Sequence, residues 1–417
     1  MHVIVDLSTV AWLISLLCSL YAAYYLLISL FSFRTPKPLP ATNEHHRFLV
    51  LIAARNEAAV IGHLIDSLQQ QKYPKDRFDI CVVPNNCTDR TREISLEKAA
   101  LVYDCAQLVS SKGDALHQAV FDLMLMAPVY DALCVFDADN LVHPDFLAAM
   151  NRALSHGHSA AQGYRDSKNP ADTSISGSYA IYYWMISRFY NRPRRNLGLS
   201  ASISGSGFML SRDLLERLGG WKTHTMTEDL EMTTQIVLAG ETVTYVPEAI
   251  IYDEQPLTFT QSWHQRLRWS TRIWQIGESY LGRLLRQAFR QKSLVAFDQA
   301  LFYLAPAMQL VYALSFFLNV ALQLLMIHFE LFPESHIYKL MFLSLDFSYL
   351  MTTFLAGFTI LLERKQKSVL LKSVFFYWIF LSSWFVINVR SLFKRAVIWT
   401  PIAHTRSMVI DDVVMNR

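Results

Sequence analysis

Apolar residues are concentrated in four long runs, one near the start of the chain and three in its last third. The runs cover about residues 8–33, 301–327, 340–362 and 373–389, and residues 45–290 contain no comparable run. A helix needs about 20 apolar residues to cross the ~30 Å hydrocarbon core of a bilayer. The first run has no basic leader and no small-residue cleavage site, which favours a membrane anchor over a removable signal peptide. The pattern predicts an anchor, a long polar domain and about three C-terminal transmembrane helices.

The charged residues that flank these runs predict the orientation of the chain. Asp6 precedes the first run, whereas Arg34 and Lys37 follow it, which places the polar domain in the cytoplasm of a multi-pass protein of the cell membrane. The weakly basic loop after the second run suits the outside, and the basic loop ERKQK suits the inside. Four crossings leave the C-terminus outside, yet the basic residues after the last run favour the inside. An interfacial or re-entrant last segment therefore stays open as an alternative.

Within the polar domain, short apolar segments alternate with segments of helical periodicity. HRFLVLIAARNE begins with an apolar run, and apolar residues then continue at helical spacing to Leu68. FDICVVPNNCTD repeats this pattern, and further strands are expected near 107–109 and at ALCVFD, with a helix over SKGDALHQAV between them. The alternation predicts an α/β fold with a mostly parallel sheet, whose ligands bind at the carboxyl ends of the strands.

Two aspartates end one of these predicted strands, in the stretch LCVFDADN. Side chains at positions i and i+2 of an extended chain point the same way, so Asp137 and Asp139 should project together from the ligand-binding edge of the sheet. Carboxylate oxygens at such a place can hold Mg²⁺ or Mn²⁺ against a substrate diphosphate. The alternative is an acidic turn that leads into the next helix and binds no metal.

Two downstream segments carry residues suited to close approach or to acid–base chemistry. In SISGSG, Gly205 and Gly207 allow either a close backbone contact with a substrate or an ordinary tight turn. In TMTEDLE, Thr227 suits a helix N-cap, and Glu228 and Asp229 suit the first helical turn. These acids therefore either stabilise the helix or supply a general base.

The segment SWHQRLRWSTRIWQ predicts a helix with one polar and aromatic face. Helical spacing places on that face Gln265, Arg268, Trp269 and Arg272. Arginine forks suit phosphate oxygens, and a tryptophan ring offers an apolar face on which a sugar can stack. An amphipathic helix lying on the membrane has the same composition, and both interpretations can hold at once.

Composition narrows the class of protein. Hydrophobic residues make up 52% of the chain, which agrees with membrane spans. The 38 basic and 35 acidic residues give a net charge of only +3, which argues against a nucleic-acid binder. The five cysteines include no CxxC pair, so neither a disulfide framework nor a zinc site is predicted. A P-loop GxxxxGK[ST] is also missing from the sequence, which argues against a nucleotide-driven transporter.

Four motifs follow one another along the chain: AARNE, FDAD, TED and QRLRW. In sequence and order they resemble the motifs of the membrane-integrated family 2 glycosyltransferases. This family includes cellulose, hyaluronan, chitooligosaccharide and poly-N-acetylglucosamine synthases. QxxRW is typical of the processive, polymer-making members, and GYRDSKNP and AIYYWMISRFY are similar to a bacterial exopolysaccharide-synthesis subgroup. The resemblance covers about residues 45–290 by motif and the flanking spans by layout. It implies a GT-A fold, a UDP-sugar donor, a divalent cation (Mg²⁺ or Mn²⁺) and inversion at the anomeric carbon.

The resemblance also implies roles for individual residues. Donor binding falls to Arg55, Glu57, Asn85, Lys112, Asp137, Arg266 and Arg268. Asp139 and Asp137 would bind the metal, and Asp229 would be the general base. Gly205, Ser206 and Trp269 would contact the acceptor. The remaining motif positions are Thr227, Glu228 and Gln265. Many members have an aspartate where this chain has Asn85. Its amide oxygen can still accept the N3–H of uracil without the charge, and Asp89 is a second candidate for that contact.

These inferences divide the chain into five parts: an anchor (1–34), a cytoplasmic GT-A domain (45–255), interface helices with QxxRW (256–295), transmembrane helices (296–395) and a tail (396–417). The predicted function is metal-dependent, inverting sugar transfer from a UDP-sugar to a growing β-linked exopolysaccharide, with export as a second task. Four spans are few for a pore, so export would need a second copy or a partner subunit. A non-processive transferase acting on a lipid carrier or glycolipid is the first alternative, and a transporter with a nucleotide-binding domain is the second.

Overall fold

The computed structural model of the 417-residue chain describes residues 2–107, 109, 111–127, 129–223, 225, 227–328, 334–393 and 408–415. The strands are β1 (Phe48–Ala54), β2 (Phe78–Pro84), β3 (Leu101–Val102), β4 (Ala132–Asp137), β5 (Leu141–Val142), β6 (Ala160–Ser167), β7 (Phe208–Ser211) and β8 (Val243–Asp253). The helices are α1 (His2–Leu30), α2 (Ile61–Gln69), α3 (Thr91–Glu97), α4 (Lys112–Val120), α5 (Phe146–Ser155), α6 (Ser174–Met185), α7 (Arg192–Leu197), α8 (Arg212–Leu218), α9 (Glu228–Leu238), α10 (Phe259–Arg290), α11 (Leu294–His328), α12 (Glu334–Leu362), α13 (Lys367–Phe393) and α14 (Ile410–Met415).

The eight strands form one mixed sheet in the order β3-β2-β1-β4-β7-β6-β8-β5. Strands β1, β2, β3 and β4 pair in parallel, as do β6 and β8, while β7 runs antiparallel to both of its neighbours and β5 antiparallel to β8. The predicted α/β class is confirmed, although the sheet is less uniformly parallel than predicted. The third strand lies at Leu101–Val102, so the prediction near 107–109 is wrong.

Helices cover both faces of the sheet, which explains why its central strands are almost continuously apolar. In β1, Leu49 and Leu51 pack toward α4 and α6, whereas Val50 and Ile52 pack toward α2 and α5. All four side chains are buried, and each contributes about 1.5–3 kcal/mol of transfer free energy. This two-sided core holds the carboxyl ends of β1, β2, β4, β6 and β8 at one edge of the sheet.

Among the described residues, three segments are long and apolar enough to cross a membrane: Leu7–Phe33, Leu294–Met326 and Leu370–Phe393, with mean hydropathies of 2.0, 1.7 and 1.7. The part of α12 whose side chains are described, Asp346–Leu362, is apolar but shorter. All four predicted runs are therefore helical, as α1, α11, α12 and α13. Residues 329–333, which join α11 to α12, and residues 394–407, which include the first part of the predicted tail (396–417), lie outside the described residues.

Polar groups join the apolar helices to each other and to the domain that contains the sheet. Ser15 and Ser315 share a hydrogen bond of 2.8 Å between α1 and α11. Arg194 of α7 and Asp298 of α11 form a buried ion pair, with Nε and Oδ2 2.8 Å apart. The hydroxyl of Tyr303, on α11, donates to Leu230 O in α9 at 3.1 Å. These contacts fix the first half of α11 against the domain that carries the site.

Candidate active site

A cavity of about 920 Å³ lies at the edge of the sheet where the carboxyl ends of the parallel strands meet the apolar helices. Thirteen of the fifteen predicted site residues line it: Arg55, Glu57, Asn85, Lys112, Asp137, Asp139, Gly205, Thr227, Glu228, Asp229, Gln265, Arg268 and Trp269. The wall continues past them to α1 and α11, where Tyr25 and Phe302 line it. One space therefore connects the acidic strand ends to the apolar helices α1 and α11.

The two aspartates of FDAD stand at the end of β4, as their spacing predicts. The N–H of Asp137 donates to Ser206 Oγ at 3.0 Å, which fixes the strand end to the SISGSG loop. Asp139 is almost fully buried, and Asn140 donates to it at 3.4 Å and to Asp253 Oδ1 at 2.9 Å. Both carboxyl groups therefore face the cavity from a rigid strand end, where their charge acts on whatever binds there.

Lys112 begins α4 and reaches across the cavity to the acidic groups. Its Nζ lies 2.6 Å from Asp137 Oδ1, donates to Gly205 O at 2.8 Å and lies 3.4 Å from Glu228 Oε1. Burial alone would lower the pKa of Lys112, but the charges of Asp137 and Glu228 outweigh it and raise the pKa. The lysine therefore keeps its positive charge and joins three separate segments of the site.

Gly205 brings two carboxylates close to one point. Its φ of +84° lies in the left-handed region that favours glycine. A Cβ at this position would lie 3.4 Å from Asp229 Oδ2 and 3.9 Å from Asp137 Oδ2. The missing side chain thus leaves open the space between the predicted general base and the predicted donor-binding aspartate.

Asp229 has the protonation behaviour of a base that works near neutral pH. Burial is the first cause that raises its pKa and the neighbouring charge of Glu228 the second, bringing the pKa to about 7. A general base is most effective when its pKa lies near the working pH. A pKa near neutrality is what the predicted role of Asp229 as a general base requires.

The pH dependence of activity should report this shift. We expect kcat/KM to rise tenfold per pH unit below about pH 7 and to level off above it, because only the ionised Asp229 can take a proton. In Glu228→Gln the midpoint should move to lower pH, because the charge that raises the Asp229 pKa is gone. A midpoint that does not move in this variant would count against Asp229 as the titrating group.

The end of the cavity beyond β1 and β2 offers polar groups of the kind that bind a nucleobase. Arg55 and Glu57 line it after β1, and Asn85 lines it after β2. Asn85 is nearly buried, and its Oδ1 has no hydrogen-bond partner among the described residues. A buried acceptor without a partner is costly unless a ligand supplies the donor.

Asp89, the second candidate for the contact with the base, already has partners in its own loop. Its carboxylate accepts from the N–H of Ala58 at 3.0 Å and from the N–H of Thr91 at 3.0 Å.

Three predicted residues differ from expectation. The structure does not place Arg266 in the cavity: it is fully buried and donates to Phe380 O and Ser383 Oγ of α13, both at 2.7 Å. Ser206 is also fully buried, and its Oγ accepts a hydrogen bond from the N–H of Asp137 instead of facing an acceptor. Thr227 occupies the N-cap position of α9, but its hydroxyl makes no capping bond. Of the two predicted phosphate-binding arginines, only Arg268 lines the cavity.

The cavity wall contains an ion pair that was not predicted from the sequence. Arg165 of β6 donates through Nε to Asp253 Oδ2 at 2.9 Å, and its guanidinium lies 4.2 Å from the ring centroid of Tyr183. Burial alone would lower the pKa of Arg165, but Asp253 outweighs it and raises the pKa. Asp253 ends β8 as Asp137 ends β4, so a carboxylate at a strand end was a signal available in the sequence.

Aromatic side chains form the cavity wall nearest the apolar helices. Trp269 of α10 and Trp384 of α13 are stacked, with ring centroids 6.4 Å apart and an interplanar angle of 22°. Tyr182 of α6 lies beside Trp384, with centroids 6.2 Å apart. Flat apolar faces beside polar groups suit a sugar ring or the first part of an amphiphilic acceptor.

The donor set fits a divalent cation that is bound together with its substrate. Among the described residues, no group of three or more His, Cys, Asp or Glu side chains could hold a metal ion. Asp137 and Asp139 offer oxygen ligands on one wall, and Mg²⁺ is commonly held by one or two carboxylates plus substrate phosphates. The residues present therefore fit Mg²⁺ or Mn²⁺ as a partner of a diphosphate, not as a permanently caged ion.

Comparison with known proteins defines the class. The solved structure of the mannosyltransferase PcManGT from Pyrobaculum calidifontis, in complex with GDP-mannose and Mn²⁺, matches 93% of this chain and 98% of that chain, with a TM-score of 0.60 and 19% identity. The fold is that of the GT-A glycosyltransferases. A family model described as glycosyltransferase like family 2 matches residues 45–271, more than half of the chain. The chain belongs to this family and is a hexosyltransferase.

Curated relatives point to more than one kind of product. The probable glycosyltransferase YdaM of Bacillus subtilis is 28% identical over 386 residues, which cover 86% of this chain and 85% of that protein. The beta-monoglucosyldiacylglycerol synthase of Nostoc sp. is 28% identical over 228 residues, covering 53% and 47%. The poly-beta-1,6-N-acetyl-D-glucosamine synthase of Staphylococcus aureus is 24% identical over 238 residues, covering 56% of each. This chain spans about half the length of the last two relatives.

Proposed function

We propose that the chain transfers a hexose from a UDP-sugar to the hydroxyl group of a membrane-held lipid acceptor, with inversion at the anomeric carbon. The observation that carries this proposal is the single cavity that joins Asp137 and Asp229 to α1 and α11. A soluble acceptor would not need a route from the catalytic carboxylates to apolar helices. The relationship to a beta-monoglucosyldiacylglycerol synthase supports the same acceptor class.

In this proposal the donor lies across the carboxyl ends of β1, β2 and β4. Asn85 Oδ1, without a partner in the described part of the chain, accepts the N3–H of uracil, and Arg55 and Glu57 hold the nucleoside from the next loop. Arg268 and Lys112 provide the positive charge for the diphosphate. Asp137 and Asp139 would hold the divalent cation, which offsets negative charge on the diphosphate when bound.

The chemical step needs one displacement. Asp229 takes the proton from the acceptor hydroxyl as that oxygen attacks the anomeric carbon. The bond from this carbon to the diphosphate oxygen breaks, and UDP leaves with the electron pair while Arg268 and Lys112 balance its charge. An α-linked donor then gives a β-linked product, and no covalent enzyme intermediate forms.

A β-linked polysaccharide as product is the second candidate. Its support is the QRLRW segment, whose Gln265, Arg268 and Trp269 all line the cavity, and the stacked pair of Trp269 with Trp384. The relationship to a poly-beta-1,6-N-acetyl-D-glucosamine synthase agrees with it. The donor site and the base are the same in both candidates, so only the acceptor distinguishes them.

The aromatic wall should control acceptor binding in either case. We expect Trp384→Ala to raise the acceptor KM by about two- to tenfold and to leave the donor KM unchanged, because a stacked aromatic contact contributes about 0.5–1.5 kcal/mol. Trp378→Ala is the matched control, since Trp378 lies on the same helix and bonds to Ser348 of α12 instead. Equal effects of the two substitutions on the acceptor KM would mean that Trp384 acts only through packing.

The deciding experiment supplies purified protein with Mn²⁺, a panel of labelled UDP- and GDP-hexoses, and a lipid extract of the source membrane. We expect label from a UDP-hexose in an organic-soluble product that carries one or a few sugars. Label in a long water-soluble or insoluble chain would instead support the polysaccharide candidate. Label that enters no product under any of these conditions, while the nucleotide sugar stays intact, would contradict both.

A further inference from the structure

Helix α13 is apolar enough to cross a bilayer, yet it lies against the catalytic domain along most of its length. Near the start of α13, Ser373 packs against Gly177 of α6. One turn later, the hydroxyl of Tyr377 donates to Met185 Sδ, also of α6, at 3.1 Å. In its middle, Phe380 O accepts from Arg266 of α10 at 2.7 Å. These contacts hold the first half of α13 to two helices that carry cavity residues.

The second half of α13 stays in contact with α10. Trp384 stacks on Trp269 of α10, and Ser391 Oγ accepts from Ser270 Oγ at 2.9 Å. The distance along the helix from Ser373 to Ser391 is about 27 Å, at 1.5 Å per residue. A helix that crossed the ~30 Å hydrocarbon core would leave a cytoplasmic domain within its first turns. Here both ends stay in contact with helices of the domain.

The chain also returns to the domain after α13. Ile410 and Val413 of α14 are buried against Leu141 of β5 and Tyr252 of β8, the residue before Asp253. The connecting residues 394–407 include Lys394, Arg395 and Arg406 and contain no apolar run of about 20 residues, so this sequence cannot supply a returning span. The two ends of α13 must therefore lie on the same side of the membrane.

The face of α13 that points away from the domain is apolar. Leu371, Phe375, Ile379 and Val386 expose 57%, 51%, 46% and 52% of their surface. Exposed Lys372 and Arg390 flank this face, as basic residues do beside lipid headgroups. The face adjoins α12, where Trp378 contacts Tyr349, and so it continues the lipid-facing surface of the apolar helices.

We propose that α13 lies in the inner leaflet on the cytoplasmic surface of the membrane without crossing it, that lipid covers its exposed face, and that the C-terminus is cytoplasmic. This resolves the conflict between four crossings and the basic residues after the last run. Of the described apolar helices, only α1, α11 and α12 then remain to cross, too few to enclose a pore by themselves. The proposal concerns the membrane surface of the protein and does not depend on which acceptor the site uses.

Depth measurement tests the position of α13. In a variant with the five native cysteines replaced, Phe375→Cys and Val386→Cys are labelled separately with a small fluorophore in vesicles that contain lipids with quenchers at shallow or deep chain positions. The two residues point the same way, and a crossing helix would separate them by about 16 Å in depth. We expect both labels to be quenched most by the shallow probe, with depths equal within a few ångströms. A depth difference near 16 Å would overturn the proposal.

Reporter fusions test the side of the C-terminus in whole cells of a Gram-negative host. Green fluorescent protein or alkaline phosphatase is fused after Arg417 of the full chain, and after His328 as a control for the outer end of α11. We expect the fusion after Arg417 to be fluorescent and without phosphatase activity, and the control to behave in the opposite way. Phosphatase activity from the full-chain fusion would overturn the proposal, whatever the outcome of transferase assays.

Discussion

The variant Asp229→Asn should lose about 10²- to 10⁴-fold in kcat while it inserts into the membrane normally and still binds donor. Amide nitrogen and oxygen cannot take the proton of the acceptor hydroxyl, and a positioned base contributes about this factor. Because Asp229 is proposed to act on the acceptor hydroxyl and Asp137 and Asp139 on the donor, the loss should appear in kcat more than in the donor KM. Release of UDP from a labelled donor, measured at saturating acceptor, gives the value.

The same substitution should stabilise the protein above neutral pH. The pKa of about 7 in the folded state lies above the ordinary value of 3.8, so folding with an ionised Asp229 costs up to about 4 kcal/mol at pH 8. Below about pH 3 the carboxyl group is protonated in both states and this difference vanishes. We therefore expect a higher melting temperature for Asp229→Asn at pH 8 than for the parent, and equal values at pH 3.

Asp213→Asn is the matched control for these measurements. Asp213 also lies in the first turn of a helix, α8, but it is exposed and pairs with Arg217 at 3.0 Å on the surface. Its loss should change neither kcat nor the pH dependence of stability. An Asp229→Asn variant with full activity would remove Asp229 from the mechanism, even if its stability rose as expected.

Asp139→Asn should reduce activity about 10³-fold at fixed Mn²⁺ and should weaken binding of UDP in the presence of Mn²⁺. A charged oxygen ligand is lost, and metal stabilisation of a leaving diphosphate is worth several kcal/mol. Because Asp139 is nearly buried and its side chain accepts from Asn140, an asparagine of the same shape should leave the fold intact. Calorimetric titration of UDP with and without Mn²⁺ measures the binding effect separately from turnover.

Asp145→Asn serves as the control for this second prediction. Asp145 is six residues away, precedes α5 and forms a surface pair with Lys72 at 3.3 Å. It should bind UDP with Mn²⁺ as the parent does. Unchanged Mn²⁺-dependent UDP binding by Asp139→Asn would show that the metal, if required, is held elsewhere.

The features that could be predicted from sequence are those set by local pattern. The alternation of apolar strands and amphipathic helices predicts β1, β2 and β4 correctly, because burial on two faces requires continuous apolar residues. The i, i+2 spacing of Asp137 and Asp139 places both in the cavity. The helical spacing of Gln265, Arg268 and Trp269 does the same.

Long-range packing explains what the sequence pattern missed. Arg266 is adjacent to Leu267 and Arg268 in one motif, but the helix turns it toward α13, more than 100 residues away, where Phe380 and Ser383 accept its hydrogen bonds. The pairing of Arg165 with Asp253 joins the neighbouring strands β6 and β8, which are far apart in sequence. The mixed order of the sheet depends on β7, which is only four residues long and gives little periodic signal.

The most direct test of the central claim is a structure of the protein with UDP and Mn²⁺ bound. The proposal predicts the cation between the diphosphate and the carboxylates of Asp137 and Asp139, the uracil at Asn85, and Asp229 facing the open space beside Gly205. Nucleotide density outside this cavity, or a cation that neither aspartate contacts, would contradict the assignment of this site to sugar transfer.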